Sequence, residues 1–118
     1  MKIIPYGRQF IGNDDLKAVT RALKRDLITT GIEVKNFESM FSKKTGVKYS
    51  VSCSNATSGL LLAYLAVGIK KNNVIIMPSI NFVASINMAY FIGAKVFLTD
   101  VDPLTGIMRA EDLEACIK

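Results

Sequence analysis

From residue 48 onward, short β-prone apolar runs alternate with apolar helical runs that stop at glycine, and few folds accommodate that alternation. "KYSVSCS" reads as a strand over 48–53, and "ATSGLLLAYLAVG" as a helix ending at Gly68. "NVIIMP" is a short apolar strand closed by Pro78, and "FVASINMAYFIG" a second apolar helix ending at Gly93. "KVFLTD" gives a third strand, "VDPLTG" a turn, and "AEDLEACIK" the start of another helix. Near-continuous apolar strands alternating with helices predict an α/β fold, β-α-β-α-β-α, with parallel strands and helices on the sheet's faces. The 118 residues suffice for one core, and no apolar run approaches the ~20 residues of a membrane span.

Before residue 48 the pattern is different. "GNDDLKAVTRALKRD" predicts a helix capped by Asn13, with Asp14 and Asp15 at its positive end and Lys24 and Arg25 at the other. Gly31 breaks it, and a second helix is expected over about 33–45, with Val34, Phe37 and Phe41 on one stripe and Gly46 as its stop. Residues 1–46 therefore read as a helical arm, and 47–118 as the start of an α/β domain, the whole forming a single incomplete domain.

The net charge of +5 resides in the first half: residues 1–59 hold ten Lys/Arg against five Asp/Glu, and residues 60–118 five of each. Such an excess suits a phosphorylated ligand, or it is a solvated helix face. No Arg-rich run or aromatic interleaving points to nucleic acid. Cys53 and Cys116 are too few and too far apart for a disulfide framework or a metal site. "MKIIPYGRQF" lacks a long apolar run and a small-residue cleavage site, so no signal peptide is expected and a cytoplasmic location follows by default.

Ligands of open parallel sheets bind beyond the C-terminal ends of the strands. At the first such end, "SCSNATSG" opens directly into a helix, whose free N–H groups and dipole favour an anion. Thr57 and Ser58 add hydroxyl donors, and Ala56 is small enough to let a ligand approach the backbone. Equally, Ser54 or Asn55 simply caps the helix. At the second end, Phe82 either stacks on a planar ligand or begins the buried face of its helix. At the third, Asp100 and Asp102 suit turn hydrogen bonds better than a metal, for the chain has no histidine.

Read in order, "IPYGRQFIGNDDLKAV", "LITTGIEVKNFE", "GVKYSVSCSNATSGLLLAYLAVGI" and "MPSINFVASINMAYFIGAKVFLTDVDPLTG" resemble the N-terminal part of the DegT/DnrJ/EryC1/StrS family of pyridoxal-phosphate sugar-nucleotide aminotransferases. "PYGRQ" and "SNATSGLLLAYLA" are most similar to the branch that makes a 4-amino sugar for pseudaminic acid, the UDP-4-amino-4,6-dideoxy-N-acetyl-β-L-altrosamine transaminases. The resemblance implies the large domain of the aspartate aminotransferase-like fold, fold type I. It implies that Ala56 and Thr57 hold the phosphate of pyridoxal 5′-phosphate and that Phe82 stacks on its ring. It also implies that Tyr6, Asp26, Leu27, Ile28, Thr29 and Ala56 line the sugar-nucleotide site. The partners implied are a UDP-linked keto-sugar, an amino-acid donor such as glutamate, and a second copy in a homodimer; neither nucleic acid nor membrane is implied.

The family reaction needs a lysine that holds the cofactor as a Schiff base and moves protons, and an acid opposite the pyridine nitrogen. In the family both lie beyond the segment this chain matches. Lys43, Lys44, Lys48, Lys70, Lys71 and Lys95 read as solvated charges, so the resemblance implies no catalytic residue here and at most non-covalent cofactor binding. In the family sheet, later strands separate the strand matching 48–53 from those matching 74–77 and 96–99. A fragment is expected, with three outcomes: a rearranged sheet, assembly with another chain, or exposed apolar surface. The alternative to a piece of an aminotransferase is a phosphate- or nucleotide-binding or dimerisation remnant without catalysis.

Overall fold

A computed structural model describes residues 3–5 and 7–118. They fall into two compact units, Met1–Ser52 and Cys53–Lys118. The first unit holds α1 (Asn13–Leu23) and α2 (Ile32–Thr45). The expected cap, Asn13, lies inside α1. Gly12 takes the cap position instead, and its N–H donates to Asp15 Oδ2 at 2.8 Å. One carboxylate three residues into the helix thereby satisfies a free donor and faces the positive end of the dipole. Gly46 ends α2 as expected, left-handed at φ +77°, with its N–H on the Ser42 carbonyl at 2.9 Å. The Phe37 and Phe41 rings meet one turn apart, tilted at 39° with centroids 6.2 Å apart, yet both stay largely exposed.

The expected strand over 48–53 does not form; these residues are irregular. A strand exists only where a neighbour takes up its backbone donors and acceptors. Here the Ser52 N–H and hydroxyl both donate to Glu38 Oε1, at 2.8 and 3.0 Å. Those bonds hold the Glu38 carboxyl below its usual range, the backbone N–H contributing most.

The second unit contains α3 (Ala56–Ala66), β1 (Val74–Pro78), α4 (Val83–Phe91), β2 (Lys95–Thr99) and α5 (Ala110–Ile117). The strands are parallel and in register from Val74 opposite Lys95 to Pro78 opposite Thr99. Pro78 is tolerated because it ends its strand and owes no donor to the ladder there. α4 and α5 pack on β2, and α3 packs on α4. The buried apolar residues are Met77, Ala84, Ala89, Ala94 and Val101. Alanines dominate because α4 and β2 approach closely. Gly93 makes the turn between them at φ +78°; a Cβ there would come within 3.1 Å of Lys71 Cγ.

Among the described residues the sheet has two strands, so the rearranged sheet is not what forms. Phe97 and Leu98 on β2 remain about half exposed, at 49% and 50%. Thr99 is buried, and its hydroxyl has no partner among the described residues. No helix among them is long and apolar enough to cross a membrane.

Candidate functional site

The entrance to α3 is built by its own sequence. Asn55, extended at φ −165° and ψ 169°, turns its side chain back so that Oδ1 accepts from the Ser58 N–H at 2.9 Å. The Gly59 N–H reaches the Asn55 carbonyl at 3.1 Å, as the first helical bond. Asn55 Nδ2 donates to Ser54 Oγ at 3.2 Å, and the Ser54 and Ser58 hydroxyls lie 3.3 Å apart. One of the four orphan donors of the helix, the Ser58 N–H, is thus satisfied. The N–H groups of Ala56 and Thr57 have no partner among the described residues, nor has the Thr57 hydroxyl. Asn55 thus caps the helix, and its cap leaves the Ala56 and Thr57 N–H groups without a partner among the described residues.

Cys53 Sγ donates to the Asn55 carbonyl at 3.2 Å and stands 3.3 Å from where a Gly59 Cβ would be. Gly59 therefore lets the approaching chain lie close against the first turn. No acidic side chain lines the hollow at this helix end, so the field there is that of the positive helix terminus.

The open hollow at the turn, about 480 Å³, is lined by Asn55, Thr57, Ser58, Leu61, Met88 and Phe91. Met88 and Phe91 come from the C-terminal half of α4. They were not singled out from sequence, because "VASINMAYF" is apolar on nearly every side and no period marks one face. Phe82 caps α4 at its other end, in extended backbone and 72% exposed. It does not line this hollow.

Asp26, Leu27, Ile28 and Thr29 lie in the first unit, on the exposed loop between α1 and α2. Leu27 and Ile28 share a hollow of about 180 Å³ with Val19, Ala22, Leu23 and Val34. Tyr6 lies outside the described residues. The acids of the third strand end make turns. Asp102 Oδ1 accepts from the Leu104 and Thr105 N–H groups at 2.8 and 2.9 Å, and Asp100 Oδ1 from the Val101 N–H at 2.8 Å. The Thr105 and Leu104 N–H groups hold the Asp102 carboxyl below its usual range, with Arg109 adding to the effect. Arg109 also forms a two-pronged pair with Asp112 at 2.9 and 3.0 Å, which fixes the start of α5.

The donors at Ala56 and Thr57 fit a phosphate group: two free N–H groups, one hydroxyl, a positive helix end and a small side chain at the point of approach. The family model of the DegT/DnrJ/EryC1/StrS aminotransferase family matches residues 9–118. The chain is similar to Spr1654 of Streptococcus pneumoniae, a candidate sugar aminotransferase in its PLP form. Identity is 26% and the TM-score 0.89, over 98% of this chain and 29% of that one. An aminotransferase from Psychrobacter cryohalolentis is 29% identical with a TM-score of 0.84, over 97% and 30% of the two chains. The GDP-4-keto-6-deoxy-D-mannose-3-dehydratase of E. coli, with bound hydrated PLP, is 26% identical with a TM-score of 0.87, over 97% and 31%. The chain thus spans under a third of the length of these solved relatives.

Proposed function

We propose, since the chain belongs to the DegT/DnrJ/EryC1/StrS aminotransferase family, that it supplies the cofactor-phosphate and substrate-entry part of a pyridoxal-phosphate sugar aminotransferase. In this reading residues 1–46 are a helical arm and 47–118 begin the cofactor-binding large domain. The complete enzyme moves an amino group from an amino acid, glutamate in the first instance, to C4 of a UDP-linked 4-keto-6-deoxy-sugar. The product serves a surface glycan of the pseudaminic acid type. The protein works in the cytoplasm as a homodimer.

The observation that carries the reading is the pair of unpartnered N–H groups at Ala56 and Thr57 on a helix already capped by Asn55. They and the Thr57 hydroxyl would donate to the cofactor phosphate, and Ala56 leaves room for the substrate beside it. Phe82 offers an exposed ring for stacking on the pyridine. Tyr6 and Asp26–Thr29 would receive the sugar nucleotide. When bound, pyridoxal phosphate supplies the carbonyl that carries the amino group and the ring that withdraws electrons. In this reading the Schiff-base lysine is not among residues 1–118, which bind the cofactor without transaminating.

The test is a titration of the 15N-labelled chain with pyridoxamine 5′-phosphate, which has no aldehyde to react with surface lysines. The largest amide shifts belong at Ala56 and Thr57; shifts concentrated elsewhere would sink the reading. A second reading, dehydration of a nucleotide-linked keto-sugar, is favoured by the equally close likeness to the E. coli dehydratase. The product mass of the complete enzyme separates the two, since one reaction adds nitrogen and the other removes water.

A further inference from the structure

We propose that the free edge of β2 docks a second copy of this chain, the two β2 strands pairing antiparallel about a two-fold axis at Phe97 to make one continuous sheet. The inference names a surface for the second copy and rests on the sheet edge alone, not on the cofactor reading above.

The pairing of β1 with β2 fixes which backbone groups face outward. The Lys95 N–H donates to the Asn73 carbonyl at 2.8 Å, and the Ser79 N–H to the Thr99 carbonyl at 2.9 Å. Bonds to a parallel neighbour come from alternate residues. Lys95, Phe97 and Thr99 therefore serve β1, and Val96 and Leu98 point their N–H and C=O groups away from it. Among the described residues nothing pairs with those outward groups, for the sheet has two strands. An unpaired edge of this kind is a template for another strand.

The other edge of the sheet is blunted. On β1 the outward residues are Val74, Ile76 and Pro78, and Pro78 brings no N–H. Proline on an edge discourages pairing. β2 has no proline, and its half-exposed Phe97 and Leu98 leave apolar area beside the free groups.

The charges of β2 select the partner and its direction. Lys95 opens the strand and Asp100 follows its end, and both are exposed. A second β2 laid antiparallel, with Phe97 opposite Phe97, puts Lys95 of each copy opposite Thr99 and beside Asp100 of the other. A parallel second copy in register would put Lys95 beside Lys95. In the antiparallel register Val96 and Leu98 of opposite copies exchange both their backbone bonds. The Phe97 side chains then meet on the axis at a non-hydrogen-bonded position, where cross-strand neighbours stand closest. The same patch is used on both copies, so the contact closes at a dimer.

The experiment is sedimentation equilibrium and amide hydrogen exchange on the whole 118-residue chain. Wild type is expected to show a monomer–dimer equilibrium. Raising its concentration should slow exchange at Val96 and Leu98 but not at Phe97, whose N–H already serves β1. Phe97→Lys and Phe97→Glu each set like charges against themselves on the axis and are expected to weaken the dimer about tenfold. Their mixture is expected to restore it, because only a residue on the axis meets its own counterpart. Circular dichroism melts check that each variant folds. Should the charges unfold the sheet, Leu98→Pro removes an outward N–H that β1 does not use, and it too is expected to weaken the dimer. A wild-type chain that stays monomeric overturns the proposal, as does assembly beyond a dimer. A dimer that Leu98→Pro and the Phe97 charges leave intact overturns it as well, by placing the second copy elsewhere on the molecule. None of these failures touches phosphate binding at Thr57, and loss of phosphate binding leaves the dimer as it is.

Discussion

Replacing Asn55 separates two roles of one turn, because capping and phosphate binding use different N–H groups. Asn55→Ala removes the acceptor on the Ser58 N–H, a 2.9 Å bond. Loss of such a cap costs about 1 kcal/mol. For a unit the size of Cys53–Lys118, that lowers the melting temperature by about 4–8 °C. Phosphate binding should survive, since the Ala56 and Thr57 donors are untouched and the Ser58 N–H is freed as well.

Asn55→Asp does the reverse. It keeps the acceptor and adds a negative charge at the positive end of α3, a change worth about 0.3–1 kcal/mol in favour of the helix. The same charge repels a bound phosphate. Unit charges about 5 Å apart in water-like surroundings oppose each other by roughly 0.8 kcal/mol, or about fourfold in affinity. Circular dichroism melts of both variants, with and without phosphate, read the two effects together. An Asn55→Ala protein that melts with the wild type would refute the cap. An Asn55→Asp protein that binds phosphate as tightly as wild type would refute the site.

The Glu38 carboxylate gives the first unit a pH dependence of known sign. Its native pKa is lowered by the Ser52 N–H and hydroxyl. The stability it contributes is complete above the ordinary glutamate range and disappears as pH falls through the lower native value. Urea midpoints should fall on acidification from about pH 6 to pH 3, and Glu38→Gln should flatten that slope; an equal slope in both proteins would exclude Glu38 as the source. Thr99→Val should raise stability by about 1 kcal/mol, because it replaces a buried, unpartnered hydroxyl with a methyl group of similar shape. A urea denaturation midpoint that drops in Thr99→Val would show that the hydroxyl has a partner after all.

What could be read from sequence was what local chemistry decides. The glycine stops at Gly46, Gly68 and Gly93 fall at left-handed turns. The apolar runs at Val74–Pro78 and Lys95–Thr99 are the strands, and Asn55 caps its helix. The Asp102 turn is likewise local, for its carboxylate serves N–H groups two and three residues ahead. The run over 48–53 was misread because its β-prone residues say nothing of whether a neighbour will pair with them. The donor that settles Ser52 is answered by a carboxylate fourteen residues away. Met88 and Phe91 escaped notice for another reason: an apolar helix without a polar face does not announce which side meets Thr57. The Gly12 cap shows how finely the choice is balanced, since Asp15 reaches the N–H of Gly12 although Asn13 is the better capping side chain.

The central claim is a phosphate cradle at Ala56 and Thr57, and isothermal titration with pyridoxamine 5′-phosphate tests it most directly. Wild type and Thr57→Ala would be titrated side by side, with inorganic phosphate as a second ligand. The account predicts that wild type binds both ligands and that Thr57→Ala weakens both by about tenfold, the loss of one hydrogen bond to a charged group. Equal affinities in the two proteins, or no binding by wild type, would contradict it.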